Sequence, residues 1–292
     1  MNKRRFTVLF IVSTTLLGGL LVNEIRSGGF LMPGTYSNLS YDPALEPAAP
    51  SIGDKKEIEN ALSQKFYYLG TGRQAYAFVS KDGKYVLKFF RRLPLPFNSR
   101  LSQIFTEKFK EQINQYRYKK ISGELKSCKI AYDTLKEESA LTWIHLNKTP
   151  VSPSQVTLVD LLGIEHKTHL DNKEFILQKK AQLFYPYLDK KIKEGDIEGA
   201  KQAIHSMVQL IVERCKLGIR DEDPALHRNM GFIEGKAVFI DIARLKMDKK
   251  NKDPAYLDKK IPKILKGFKG WLSQNHPEFL STLDEELNSL ER

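Results

Sequence analysis

The sequence predicts an α+β protein in which a small five-stranded antiparallel sheet with one helix comes first and a reduced, mainly helical part comes last. Three observations carry this. Residues 65–90 alternate apolar segments with short glycine turns, as successive strands do. Residues 197–216 repeat apolar side chains at helical spacing, and the two patterns are segregated along the chain rather than interleaved. Hydrophobic residues make up 41% of the chain and aromatic residues 10%, which supports a buried core and excludes disorder of the whole chain.

The first 27 residues are expected to lie outside this fold. Lys3, Arg4 and Arg5 precede residues 6–22, which carry no charge and are rich in Leu, Val and Phe. Basic flank and apolar run together describe a signal peptide or an uncleaved signal anchor. A spanning helix needs about 20 apolar residues and an export segment fewer, so length selects neither; the absence of an A-x-A cleavage motif leans towards an anchor. The basic flank would hold the N-terminus in the cytoplasm and put the main domain on the non-cytoplasmic side, membrane-anchored or exported. Residues 28–54, with Pro43, Pro47 and Pro50, read as a flexible linker.

A first lobe is expected over 55–180 and a second over 181–292. Residues 66–69, 76–79 and 85–90 read as three strands, turning at Gly70-Thr71-Gly72 and at Lys81-Asp82-Gly83-Lys84. After a basic connection at 91–100, residues 101–146 read as mostly helical, and 156–162 and 174–178 as two further strands. In the second half Asp196 is the expected N-cap of a helix over 197–216 whose Ala200, Ile204, Met207, Val208, Ile211 and Cys215 share a face, and Gly218 ends it. A hairpin turning at Glu234-Gly235 follows, then helices over 254–275 and 277–290.

Charge and cysteine content narrow the chemistry. Lys plus Arg number 47 against 35 Asp plus Glu, a net charge of +12 that suits phosphates, anionic headgroups or acidic proteins as partners, or simply a lysine-rich solvated surface. Lysines crowd residues 246–269. Cys128 and Cys215 read as two buried thiols, or as one bridge in an exported domain. Walker A, H-E-x-x-H, C-x-x-C and G-x-S-x-G patterns are absent. His166 and His169 have a spacing that could hold a metal, but they lie in a polar connection with no cysteine near them and are not expected to bind one. Nucleic acid has only the charge in its favour, so it is not an expected partner.

Four spaced motifs carry the chemistry. Leu69-Gly70-Thr71-Gly72-Arg73-Gln74-Ala75 is a glycine turn between two strands. Val86-Leu87-Lys88 puts one lysine on an otherwise apolar strand face, costly unless an anion meets the ammonium. Asp221-Glu222-Asp223-Pro224-Ala225-Leu226-His227-Arg228-Asn229 is a polar loop directly after the long helix. Val238-Phe239-Ile240-Asp241-Ile242-Ala243-Arg244 delivers a carboxylate at a strand end.

In order, spacing and context these motifs resemble the protein-kinase-like superfamily, over about 60% of the chain, from Lys65 to Arg244. The resemblance implies a two-lobed protein-kinase-like fold of compact, atypical type, using ATP and Mg²⁺ to phosphorylate a protein or small-molecule hydroxyl. Gly70 and Gly72 would cover the phosphates, and Lys88 would hold them with a helix glutamate, Glu138 or its neighbour Glu137. Backbone groups near residues 178–181 would read the adenine. Asn229 and Asp241 would bind Mg²⁺, and Asp223 would orient or deprotonate the acceptor. The chain departs from the family pattern at Gln74, Ala75, Ile242 and Ala243. It spaces Asp223 and Asn229 by six positions instead of five, puts Asp221 where the family has histidine, and lacks an A-P-E motif. These departures suit the alternative of a catalytically impaired pseudokinase serving as a membrane-tethered or secreted interaction module. The membrane contact in either case would run through residues 6–22 if they are retained.

Overall fold

The computed structural model describes residues 30, 35, 39–92 and 106–290. The expected apolar segment 6–22 and most of the basic connection 91–100 lie outside the described residues. The chain divides into two compact units: the described residues through Lys110 with His145–Leu177, and Glu111–Ile144 with residues 178 onward.

The first unit begins with helix α1 (Ile52–Leu62), whose N-cap Ser51 accepts a hydrogen bond from Asp54 N. Strands β1 (Lys65–Thr71), β2 (Ala75–Ser80) and β3 (Tyr85–Phe90) form the expected antiparallel meander. Its second turn uses Gly83 at φ +75°, with Asp82 Oδ1 accepting from Ser80 Oγ and Lys84 N. Alternate side chains Phe66, Tyr76, Phe78, Leu87 and Phe89 are fully buried, each stabilising the sheet by about 1.5–3 kcal/mol.

Four more strands join this meander: β4 (Leu141–His145), β5 (Gln155–Val159), β6 (Glu165–His169) and β7 (Phe175–Lys179). The result is a mixed seven-stranded sheet of order β4-β7-β3-β2-β1-β5-β6, in which β1 and β5 run parallel. The expectation of five antiparallel strands is therefore corrected. Residues 141–145, read as helix, are buried on both faces of β4, so they show no alternation to distinguish them. Residues 165–169, read as a polar connection, form the edge strand β6, where only Thr168 is buried. β5 stops at Val159, earlier than expected, because Asp160 turns the chain by accepting from Leu162 N and Ile164 N.

The stretch expected as a flexible linker contributes to this unit. Phe30 meets Tyr76 and Phe78 edge to face, at 5.2 and 5.0 Å between ring centroids. Asp42 and Asn147 exchange two hydrogen bonds of 3.0 Å, and Leu45 is buried. Lys173, 1% exposed, donates to Thr35 Oγ1 at 2.9 Å. Pro43 opens a short 3-10 turn, Pro43–Leu45, capped by Asp42, and that turn carries Leu45 into the core.

The second unit contains most of helix α2 (Glu107–Thr134), followed by β8 (Gln182–Leu183), α3 (Phe184–Lys193), α4 (Ile197–Lys216), β9 (Ile219–Asp221), α5 (Leu226–Asn229), β10 (Met230–Ile233), β11 (Lys236–Phe239), β12 (Leu245–Met247), α6 (Pro254–Asn275) and α7 (Leu280–Leu290). As expected, Asp196 caps α4 by accepting from Gly199 N at 2.9 Å, the predicted apolar face is buried, and Gly218 ends the helix at φ +74°. The hairpin β10–β11 turns at Glu234 and Gly235, at φ +49° and +81°, the primed geometry that suits right-twisted strands. β10 also pairs with β8, where Gly231 is obligatory: a Cβ there would lie 2.6 Å from the Gln182 carbonyl oxygen. Phe184 packs on Phe268 and Phe232, and Cys128 and Cys215 are buried free thiols. Among the described residues, no helix is long and apolar enough to cross a membrane.

Burial pushes the Lys173 ammonium down to about 8 from its ordinary 10.5, with Glu174 opposing. Between these values the unfolded chain holds a proton that the folded chain has lost, so stability at this site rises with pH. Replacing Lys173 with Met removes that contribution. The difference in melting temperature, variant minus native, should fall as pH is raised from about 8 to 10.5; a pH-independent difference in calorimetric scans would refute the assignment.

Candidate functional site

The second unit gathers the polar residues of the Asp221 loop and of the strand end at Asp241. The gathering starts from α4. Its last turn puts Arg214 one turn after Ile211 on the apolar face, so the guanidinium is carried into the core, with 2% of the side chain exposed. Arg214 Nη1 donates to Asp221 Oδ2 at 3.0 Å, and the guanidinium lies over the Phe239 ring, 4.9 Å from its centroid.

Asp221 closes β9, which pairs with β12 through Asp221 and Leu245. Its second oxygen accepts from Asp223 N at 2.8 Å, so one buried carboxylate links the helix to the loop. Burial holds the Asp221 carboxyl above the usual carboxylate range, with nearby Asp241 and Asp223 adding to the rise. Arg214 and the Asp223 N–H oppose it.

The loop then folds back on itself. Asn229, buried at the end of α5, donates from Nδ2 to the Asp223 carbonyl at 2.6 Å. Its own carbonyl accepts from Ile240 N at 2.9 Å and Asp241 N at 3.4 Å. Asp241 Oδ1 accepts from Ala243 N at 3.1 Å. Asp223 is partly exposed and its two oxygens accept from Arg228 Nη2 at 3.0 and 3.1 Å, while Arg244 Nη1 stands 3.8 Å away. The one-turn helix α5 ends at Asn229, whose side chain reaches back to the Asp223 carbonyl.

Helix α2 fixes the segment after Asp241. The buried Ser127 hydroxyl donates to the Ile242 carbonyl and accepts from Leu245 N, both at 2.5 Å. One turn earlier on α2 stands Glu124, only 6% exposed.

Of the residues singled out from sequence, Asp223, Asn229 and Asp241 are brought together in this unit. Gly70, Gly72 and Lys88 belong to the first unit. A bulge between Tyr68 and Gly70 shifts the β1 register, and Gly72 N donates to the Ala75 carbonyl at 2.8 Å, closing the glycine turn. Lys88 stands on β3 opposite Ala77, partly buried. Glu138 is placed differently from its expectation: α2 ends at Thr134, and Glu138 lies in the following turn, where its carbonyl accepts from Phe239 N at 2.7 Å. Glu137 lies in the same turn. Sequence reasoning missed Arg214, Ser127 and Glu124. A charged residue at a core position of α4, and Glu124 on the face of Cys128 and Ala131, were the signals available.

Among the described residues, no group of three or more His, Cys, Asp or Glu is arranged to hold a metal ion. His166 bonds Asp160 at 2.8 Å, and His169 lies an odd number of residues away on β6, hence on the other face. No protein-family model matches the chain, and no curated protein matches it.

Replacing Arg214 with Met should destabilise the protein by about 3–5 kcal/mol, because it leaves the Asp221 charge buried without its partner. The loss should shrink as pH is lowered, since the orphaned carboxylate takes up a proton. Denaturant melts across the acid range check both statements; a loss that stays constant with pH would show that Asp221 is not what the arginine neutralises.

Proposed function

We propose that this protein is a nucleotide- and Mg²⁺-dependent phosphotransferase of protein-kinase-like kind, acting on a hydroxyl of a protein or small molecule. The observation that carries the reading is the backbone lock around Asn229: its amide nitrogen is held by Asp223 and its carbonyl by the peptide leading into Asp241. With that nitrogen committed, the amide oxygen is the atom a cation can use. Two oxygen donors, Asn229 Oδ1 and the Asp241 carboxylate, suit Mg²⁺, which takes few protein ligands and completes its octahedron with phosphate oxygens and water.

Bound Mg·ATP supplies the phosphoryl group and the charge neutralisation its transfer requires. Asp223 aligns the acceptor and accepts its proton as the new oxygen–phosphorus bond forms and the bond to the departing diphosphate breaks. Asp221 is a positioning residue: it holds Asp223 N and takes no part in the transfer. Arg228 and Arg244 place positive charge beside Asp223, which favours an acceptor that carries negative charge of its own. Gly70, Gly72 and Lys88 have the phosphate-holding part.

A second reading, a catalytically impaired interaction module, draws support from the occupation of both Asp223 oxygens by Arg228. Arg228 is more than half exposed, so an incoming acceptor can displace it at little cost.

Transfer from labelled ATP to a panel of hydroxyl acceptors should fall by about 10²–10⁴-fold in Asp223→Ala, and should be lost in Lys88→Ala and Asp241→Ala. Activity that survives all three changes removes the mechanism. Saturating Mg·ATP should raise the melting temperature through binding to the folded state, and no rise would favour the interaction module.

A further inference from the structure

The hairpin joining β5 to β6 ends in Leu161-Leu162-Gly163-Ile164, four residues without a polar side chain. Leu161, Leu162 and Ile164 are 59%, 53% and 53% exposed. Three large aliphatic side chains together at a hairpin tip carry a hydration cost that a sheet protein ordinarily avoids.

The tip is ordered by its own base. Asp160 Oδ1 accepts from Leu162 N and Ile164 N, both at 2.9 Å, and Oδ2 meets His166 Nε2 at 2.8 Å. Gly163 N donates to the Asp160 carbonyl, and Asp160 N to the Ile164 carbonyl, each at 3.0 Å. Gly163 adopts φ +80°, which closes the turn. The N–H groups of Leu162, Gly163 and Ile164 are thus satisfied within the tip, so the tip can leave water without stranding these donors. Asp160 is itself shielded, and the acidic Glu165 beside the tip is paired with Lys65 at 2.5 Å.

A second observation concerns the apolar stretch 6–22. Phe30 packs against the His166 ring at 5.8 Å, two residues from the end of the tip. Seven residues lie between Val22 and Phe30, eight Cα steps with a reach of at most about 29 Å for an extended chain. If residues 6–22 are retained in a bilayer, the hairpin is tethered close to that bilayer's surface.

We propose that the β5–β6 tip inserts its aliphatic side chains into the interfacial layer of a lipid bilayer, giving the folded domain a second membrane contact beside the N-terminal segment. This site is independent of the phosphotransfer reading. A protruding tip suits a fluid acyl layer, whereas a protein partner would need a groove shaped to receive it.

The test uses the full chain reconstituted into vesicles of phosphatidylcholine and phosphatidylglycerol, with an environment-sensitive fluorophore on Leu162→Cys. The native cysteines are buried and should resist labelling. Lys84→Cys, at the exposed β2–β3 turn, is the control. Vesicle flotation reports the N-terminal segment; quenching by nitroxide-labelled lipid reports the tip. The expected result is flotation with a blue-shifted, lipid-quenched emission at position 162, none at position 84, and loss of the quenching when Leu161→Ser and Ile164→Ser are added with melting temperature unchanged. Flotation without quenching at 162 overturns the proposal while leaving the N-terminal anchor intact. Failure to float overturns it together with the anchor, and a shift that depends on protein concentration rather than on lipid assigns the tip to a second copy of the chain.

Discussion

The second unit depends on one buried ion pair. Arg214 and Asp221 are both almost fully removed from water, a condition that costs each charge several kcal/mol of hydration and is repaid only when the two meet in good geometry. Their contact comes with two constraints that a pair of apolar residues could not impose. The guanidinium fixes where the end of α4 sits over Phe239, and the second carboxylate oxygen fixes the amide of Asp223. From that amide the rest of the loop follows: the Asp223 carbonyl orients the Asn229 side chain, and the Asn229 carbonyl receives the peptide that leads to Asp241. The chain holds polar groups in place through a relay of hydrogen bonds that starts from a buried ion pair and runs through part-buried links.

Much of the fold was legible because its elements follow simple periods. The face of α4, its cap at Asp196, its stop at Gly218 and the primed turn at Glu234-Gly235 all follow from local chemistry. The strands that escaped notice were those whose environment erases the period: β4, buried on both faces, and β6, an edge strand with a polar sequence. The stretch around Phe30 and Asp42 looked like a linker because its contacts are long-range, and no local pattern announces them.

The candidate site divides in the same way. Asp223, Asn229 and Asp241 could be picked out because motif spacing survives in sequence. Glu138 could not be placed correctly because the helical reading ran on to residue 146, whereas α2 stops at Thr134, about one turn before Glu138. Run back from Ala131 along the same face, the apolar pattern leads through Cys128 to Glu124, a carboxylate whose burial only the structure reveals. Ser127 is more hidden still, since a serine within a helix is unremarkable until its hydroxyl is seen to serve a carbonyl and an amide more than a hundred residues away.

The crowding at Gly231 has a consequence for how this chain can vary. With the Gln182 carbonyl oxygen and the Ala181 Cβ standing inside contact distance of any added carbon, β10 and β8 approach too closely for even a methyl group. Sequences diverging from this one are therefore free to change the exposed side chains of β8 but not that single glycine on the buried β10, unless β8 is surrendered along with it. A hydrogen atom at residue 231 would then mark descent more durably than any of the charged residues around it.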